Sequence, residues 1–481
     1  MEIIYQLPRI DREIESLMER IHPPRVCMDN DSSIDCTVLK IDSANRHGIL
    51  LEIVQVLTDF DLVISKSYIS SDGGWLMDVF HVTDKVGNKL TDQSLVHYIQ
   101  QALCPTRSGK EISSDIELQS CKGPQQKVST SVVNLAIEVT ATDRPGLFSE
   151  ISAVLLGLGF NVVSATAWTH NDRVACIIHV EDGSRSGPII DMERLAHVQE
   201  QLQNVVEAHD GKREEKRRVR MRSFGAGRNH TERRLHQLMY ADGDYESCRA
   251  CYGDRSGEHK KGCDGTHVSV GRYEEKGYWV VNVRSRDRPK LLFDTVCVLT
   301  DMHYEVFHAA IGSNSSMAHQ EYFVRPKGKS NLDDESEKQK LTLCIIAAIE
   351  RRISHGLKLD IRTQNRGGLL SNVTRVIREN GLSIARVQVG VDGEIAVGSF
   401  YVTDSSGKDV NPDIVELVRR ETGGSTVADY TSHYRIPKSL SSRKPILGTM
   451  STTEVRPRFS LGSMLWSQLE RLSINFGHIK S

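Results

Sequence analysis

The stretch 140-TATDRPGLFSEISAVLLGLGFNVVSATAW-168 recurs, in altered form, at three other places in this 481-residue chain. The matches are 43-SANRHGILLEIVQVLTDFDLVISKSYI-69, 285-SRDRPKLLFDTVCVLTDMHYEVFHAAI-311 and 363-TQNRGGLLSNVTRVIRENGLSIARVQV-389. All four align without a gap. Such self-similarity constrains the fold more than any composition does, because each copy must solve the same packing problem. The spacing between copies is uneven, so they are expected to be four small domains and not the turns of a solenoid.

One copy can be built residue by residue. Asn134 to Thr140 and Tyr278 to Val283 alternate apolar and polar, as a half-buried strand does. A turn follows: Asn45-Arg46-His47-Gly48, Asp143-Arg144-Pro145-Gly146, Asp287-Arg288-Pro289-Lys290 or Asn365-Arg366-Gly367-Gly368. Its Asn or Asp is expected to cap the next helix, and Pro145 and Pro289 suit a helix start. Leu147, Phe148, Ile151, Val154, Leu155 and Leu158 form one apolar stripe at helical spacing. Gly159 and Gly381 end their helices. A second strand runs from Asn161 to Trp168 and a third from Val174 to Val180. Second helices are expected at 92–103, 191–208, 335–354 and 412–421.

The order βαββα, completed by a final strand, is a ferredoxin-like βαββαβ unit of the α+β class. Helices would cover one face of each sheet. The bare edges predict that units pair side by side into larger antiparallel sheets.

Strand, [DN]RxG turn, helix and GxN-strand units of this size resemble ACT domains, the small-molecule-binding regulatory modules of amino-acid metabolism. Four of them without an attached enzyme resemble the plant ACT-domain-repeat (ACR) proteins, over roughly residues 35–435. The resemblance implies an N-terminal extension at 1–34 and ACT-like domains at 35–112, 131–222, 267–355 and 356–436. An interdomain helix and Cys-rich loop would fill 223–266, and a tail with a C-terminal amphipathic helix 437–481. The Cys-rich segment separates units two and three, so the chain is expected to divide there into two halves.

A turn at a helix start presents backbone N–H groups and the positive end of the helix dipole, which suits a carboxylate. In amino-acid-binding ACT domains the turn Asn holds the ligand, and an Asn at the start of strand two reaches it from the neighbouring domain. Carried over position by position, the turns supply Asn45, Arg46, His47 and Gly48; Asp143, Arg144 and Gly146; and Asn365, Arg366 and Gly368 as candidate ligand-binding residues. The strand-two position holds Val63, Asn161, Glu305 and Ser383. The expected site joins Asn45, Arg46, His47 and Gly48 of the first unit to Asn161 of the second. Asn365 is expected to face Glu305, which would repel a carboxylate. The arginines Arg46, Arg144, Arg288 and Arg366 either pair with an anion or bond loop carbonyls.

The implied function is a non-catalytic regulatory protein that binds an amino acid, or a similar small metabolite, and relays this to a protein partner. The alternative is a ligand-free scaffold for protein contacts. The chain has no GxGxxG, Walker loop, HExxH or paired-carboxylate cluster, so no enzyme chemistry and no cofactor are expected. Net charge is −2, which calls for no nucleic acid. No apolar run reaches the roughly 18–20 residues of a membrane span. The start lacks signal-peptide character, and scattered cysteines such as Cys36, Cys176, Cys297 and Cys344 sit in apolar segments. An intracellular protein, cytoplasmic or nuclear, is expected.

Three further features stand apart. Cys248, Cys251 and Cys263 with His259 and His267 form either a zinc knuckle or an ordinary loop. The basic run 212–222 is either a nuclear import signal or a solvated helix end or edge strand. Leu461, Leu465, Leu469 and Leu472 stripe one helix face near Trp466, ready to dock on the repeats, bind a partner or touch a membrane.

Overall fold

A computed structural model of the chain describes residues 24–72, 74–103, 135–183, 192–208, 218–223, 230–247, 265–273, 277–314, 316–327, 334–353, 356–404, 410–422 and 425–429. The first repeat comprises β1 (Arg25–Asp29), β2 (Thr37–Ala44), α1 (Ile49–Asp59), β3 (Val63–Asp72), β4 (Trp75–Thr83) and α2 (Gln93–Leu103). The second comprises β5 (Leu135–Thr142), α3 (Leu147–Gly157), β6 (Phe160–His170), β7 (Arg173–Asp182), α4 (Met192–Glu207) and β8 (Val219–Ser223), and is followed by α5 (Thr231–Ala241). The third comprises β9 (His267–Tyr273), β10 (Tyr278–Arg286), α6 (Leu291–Asp301), β11 (Tyr304–Asn314), β12 (Met317–Pro326) and α7 (Glu335–Glu350). The fourth comprises β13 (Leu357–Gln364), α8 (Leu369–Glu379), β14 (Leu382–Asp392), β15 (Ile395–Asp404), α9 (Pro412–Thr422) and β16 (Ser425–Asp429).

The repeats combine as first with third and second with fourth. One eight-stranded sheet runs β1-β2-β4-β3-β11-β12-β10-β9, the other β16-β13-β15-β14-β6-β7-β5-β8. Two compact units result: one from segments within 1–112 and 265–342, the other within 113–264 and 343–435. The expected division into an N-terminal and a C-terminal half is therefore corrected. The repeats interleave, and each sheet unites partners of one kind. In the first and third repeats the outer edge strand precedes the rest, so β1 pairs with β2 and β9 with β10. In the second and fourth it follows the last helix, so β8 pairs with β5 and β16 with β13. The expected final strand thus comes first in two of the four, and β1 lies ahead of the expected start at 35. The basic run ends in the edge strand β8, its residues 212–217 lying outside the described residues.

The two seams are short. Five residue pairs join β3 to β11, from His308↔Ser70 to Gly312↔Lys66. Four join β6 to β14, from Arg386↔Trp168 to Val389↔Ala165. Helix pairs, α1 with α6 and α3 with α8, lie over the seams. Between the second pair, the buried Ser152 and Thr374 hydroxyls meet at 2.9 Å. The stripe residues Leu147, Ile151 and Leu155 are buried against Ile137, Val139, Phe160 and Ile178, and Val373, Val376 and Ile377 extend the same core into the fourth repeat.

The turns depart from expectation. Asn45, Asp143, Asp287 and Asn365 do not cap helices. The N-caps are Gly48, Gly146, Lys290 and Gly368, all left-handed and without a side-chain cap. The Asn and Asp residues instead finish the strand. Their backbone N–H groups donate to the carbonyls of Gly74, Asp172, Ser316 and Glu394 at 2.7–2.9 Å. Glycine takes the left-handed cap without a Cβ clash. Lys290, at φ 64°, adopts the same conformation with a side chain attached.

In the second unit, α5 crosses the sheet face opposite α3 and α8. Leu235, Leu238 and Met239 pack on Ala136, Trp168, Ala175 and Ile177. Polar contacts hold its first turn: Arg234 is bidentate to Glu138 at 2.7 Å, and Arg352 reaches Glu232 at 2.9 Å. Just beyond, Asp244 accepts two 2.5 Å hydrogen bonds from the buried Arg351 and one at 2.9 Å with His170. Burial alone would raise the Asp244 carboxyl. Arg351 and His170 outweigh it and hold that carboxyl well below its ordinary range.

In the first unit, Asp78 of β4 is fully buried on the helix side, opposite Ile41. Neither of its carboxyl oxygens has a hydrogen-bond partner among the described residues. Burial pushes its pKa well above the usual carboxylate range, against a weak opposing interaction with the Ser70 backbone.

Two outcomes follow from these buried groups. Asp244→Ala strands the Arg351 guanidinium and should destabilise the second unit by about 3–5 kcal/mol. Hydrogen exchange should show residues 231–247 released first, and unchanged protection there would contradict the account. Asp78 binds its proton more tightly folded than unfolded. Its contribution is therefore fully present below the unfolded carboxylate pKa and lost as pH rises toward the folded one. Between the two values the penalty grows by about 1.4 kcal/mol per pH unit. Asp78→Asn should thus raise the melting temperature at pH 7 relative to wild type, and the gain should shrink toward pH 4.

Candidate functional site

The seam between the second and fourth repeats encloses a cavity of about 190 Å³. Its polar end is the turn Asn365-Arg366-Gly367-Gly368 with the N-terminus of α8, and Asn161 from β6 of the other repeat. The approach is close. A methyl group on Gly367 would stand 3.4 Å from Asn161 Oδ1, and one on Gly368 2.9 Å from Leu156 Cδ2. Gly368 is thus favoured by its left-handed backbone and by the closeness of Leu156 across the seam, while a methyl on Gly367 would only touch Asn161. Glu181, paired in register with Asn161, also lines this end.

The four turn arginines are not equivalent. Arg46 is bidentate to Glu52, with its Nη1 2.7 Å from Oε1. Arg144 is bidentate to Glu150 at 2.9 and 2.5 Å. Arg288 reaches Asp294 at 2.7 Å. In each case the acid lies six residues downstream, on the first turns of the helix. The corresponding residue after Arg366 is Asn372, which instead accepts from Arg375 at 2.9 Å. Among the described residues no carboxylate is paired with Arg366. Three of the turn arginines thus fasten their turns to helix acids, a partner neither alternative named, and the fourth differs from them.

This placement corrects the expected pairings. Asn45 and Asn161 belong to different units, and Asn161 lies beside the Asn365 turn. Asn365 and Glu305 likewise belong to different units, and Glu305 pairs with Lys327 at 3.4 Å within the first. The turn of Asn45 meets the third repeat. His47 lies 5.8 Å from His303 between ring centroids, and a methyl on Gly48 would stand 3.9 Å from Thr300 Cγ2. The turn of Asp143 meets the fourth repeat at Arg378, whose Cδ would lie 2.9 Å from a methyl on Gly146. Burial, with the Asp172 charge second, raises the Asp143 carboxyl to about 6. Arg378 and Leu156 hold the same helix position in the two repeats, so a cation stands at one end of the seam and an apolar side chain at the other.

Gly398 also distinguishes the fourth repeat. It pairs with Ile361 on the central strand. Cys176, Asp78 and Gln320 hold the same register in the other three repeats, opposite Val139, Ile41 and Val283. The missing acid at Asn372 and the missing side chain at Gly398 can be read by aligning the repeats. Leu156 as the neighbour of Gly368 requires knowledge of which repeats pair.

Among the described residues no group of three or more His, Cys, Asp or Glu side chains could hold a metal ion. Cys248, Cys251, Cys263, His259 and the C-terminal leucine stripe lie outside those residues. No helix among them is long and apolar enough to cross a membrane.

Comparison with known proteins agrees with this architecture. Residues 32–110 match the ACR family N-terminal ACT domain, and residues 136–191 match the ACT domain. The chain is 52% identical to the ACT domain-containing protein ACR1 of Arabidopsis thaliana, over 98% of both chains. It is 48% identical to ACR3 of the same plant over 88% of this chain and 90% of the relative, and 42% identical to ACR2 over 98% of each. With four ferredoxin-like repeats in two paired sheets and near-complete coverage by these relatives, the chain belongs to the ACR family of ACT domain-containing proteins.

Proposed function

We propose that this protein is a non-catalytic regulatory protein that binds a free amino acid, or a similar small metabolite, at the seam of its second and fourth ACT domains. One observation carries the reading: an arginine released from its helix acid, a helix N-terminus and an asparagine from the neighbouring domain converge on one cavity. The ligand's carboxylate is received by the backbone N–H groups at the start of α8 and by Arg366. The Asn161 amide can donate to that carboxylate or accept from the ammonium group. Glu181 supplies a negative charge for the ammonium.

Signalling follows from geometry. A ligand held by both domains favours the arrangement in which the seam is closed, and only such differential affinity can shift an equilibrium. The four-pair strand contact at this seam is small enough for bound ligand to matter. A protein partner would sense the change, and the C-terminal leucine stripe is the proposed contact. Scaffolding is the second reading, and it suits the first unit. There the positions equivalent to Gly398 carry Asp78 and Gln320, and the arginines of both turns are already paired.

Calorimetric titration of the full-length chain with the twenty amino acids tests the proposal. At least one should give a saturable signal. Asn161→Ala and Arg366→Ala should each weaken it about tenfold or more, in line with the loss of a charge-assisted hydrogen bond. Asn45→Ala should leave it unchanged. Silence from folded protein across all twenty would leave the scaffold reading.

A further inference from the structure

We infer that this site selects an amino acid with an uncharged aliphatic side chain, and that Gly398 sets the preference. The inference rests on the proposed site and adds the class of ligand. The charged side chains lining the cavity are Arg366 and Glu181, at the turn and beside Asn161. Away from that end the wall is mostly apolar and carries no charge: Ile361, Val373 and Phe400 are buried and Val389 is half-buried, while the hydroxyls of Ser152, Thr363 and Ser371 also line it, that of Ser152 bonded to Thr374. A charged ligand side chain directed there would lose its hydration with no opposite charge to replace it. A methylene placed there gains from the same transfer.

Size argues in the same direction. At about 190 Å³ the cavity falls below the ~300 Å³ at which ordinary cofactor and drug-sized pockets begin. A small amino acid is in keeping with a space of this size.

Gly398 makes the apolar floor. A methyl group there would lie 2.7 Å from Val389 Cγ1 and 2.9 Å from Phe400 Cε2. Those two cavity-lining side chains therefore pack over the glycine, and a side chain at 398 would have to displace them. The other three repeats lack this arrangement, since Cys176, Asp78 and Gln320 fill the position. Asp78 and Gln320 would moreover put polar groups where the fourth domain has none.

The test is a titration of the full-length chain with glycine, leucine, aspartate and lysine. Leucine should bind about tenfold or more tightly than glycine, the discrimination that buried methylenes supply. Aspartate and lysine should bind more weakly than leucine. Gly398→Val should abolish the advantage of leucine over glycine. Because a side chain at 398 also strains the core, Val389→Asp at a half-buried position provides a second variant. It should lower leucine affinity about tenfold or more while retaining the wild-type circular dichroism spectrum, and unchanged leucine affinity would overturn the inference. Aspartate or lysine binding more tightly than leucine, at a site removed by Asn161→Ala, would overturn the inference and leave the amino-acid site standing. No response to any amino acid would overturn both.

Discussion

Everything particular to this protein depends on which strand edges meet. A single ferredoxin-like repeat leaves an unpaired edge, and an unpaired edge exposes N–H and C=O groups that seek a partner. Here β3 meets β11 and β6 meets β14, through five and four residue pairs. Those short ladders carry the helix pairs, the merged cores and the cavity. Moving one seam partner would leave every local element intact and dismantle the site.

The repeats have kept their frame and diverged in the chemistry placed on it. The same turn occurs four times, with the same left-handed cap and the same strand-end hydrogen bond to the hairpin. On that frame Glu52, Glu150 and Asp294 occupy three arginines, while Asn372 leaves the fourth available. Ion pairs of this kind add little stability when exposed. Their larger consequence here is that three of the four turn arginines are already occupied by helix acids.

The segment joining the second and third repeats also contributes to structure. Within that segment α5 covers the helix-free face of the second unit. Its Leu235, Leu238 and Met239 bury Trp168, which sits at the seam opposite Arg386. Arg352 and Arg386 lie 4.9 and 5.8 Å from the Trp168 ring, so the indole is clasped by cations from sequence-distant segments. The linker thus braces the same seam whose other face holds the candidate site.

By itself the sequence determined the repeat, its α+β character, the helix stripes and the turn. These depend on periodicities of two and 3.6 residues, which a local stretch records. It also contained the missing acid after Arg366 and the bare strand position at Gly398. Both became meaningful only once their neighbours were known. The tertiary structure decided the pairing of first with third and second with fourth, and so moved Asn161 from Asn45 to the Asn365 turn. It also decided that a strand ahead of the repeat completes two of the sheets, and that glycine and lysine, not Asn or Asp, stand at the helix caps. The reason is common to these cases. Four similar edges offer several pairings of nearly equal backbone hydrogen-bonding, and the choice among them is made by side chains far apart in sequence that meet only when the sheets close.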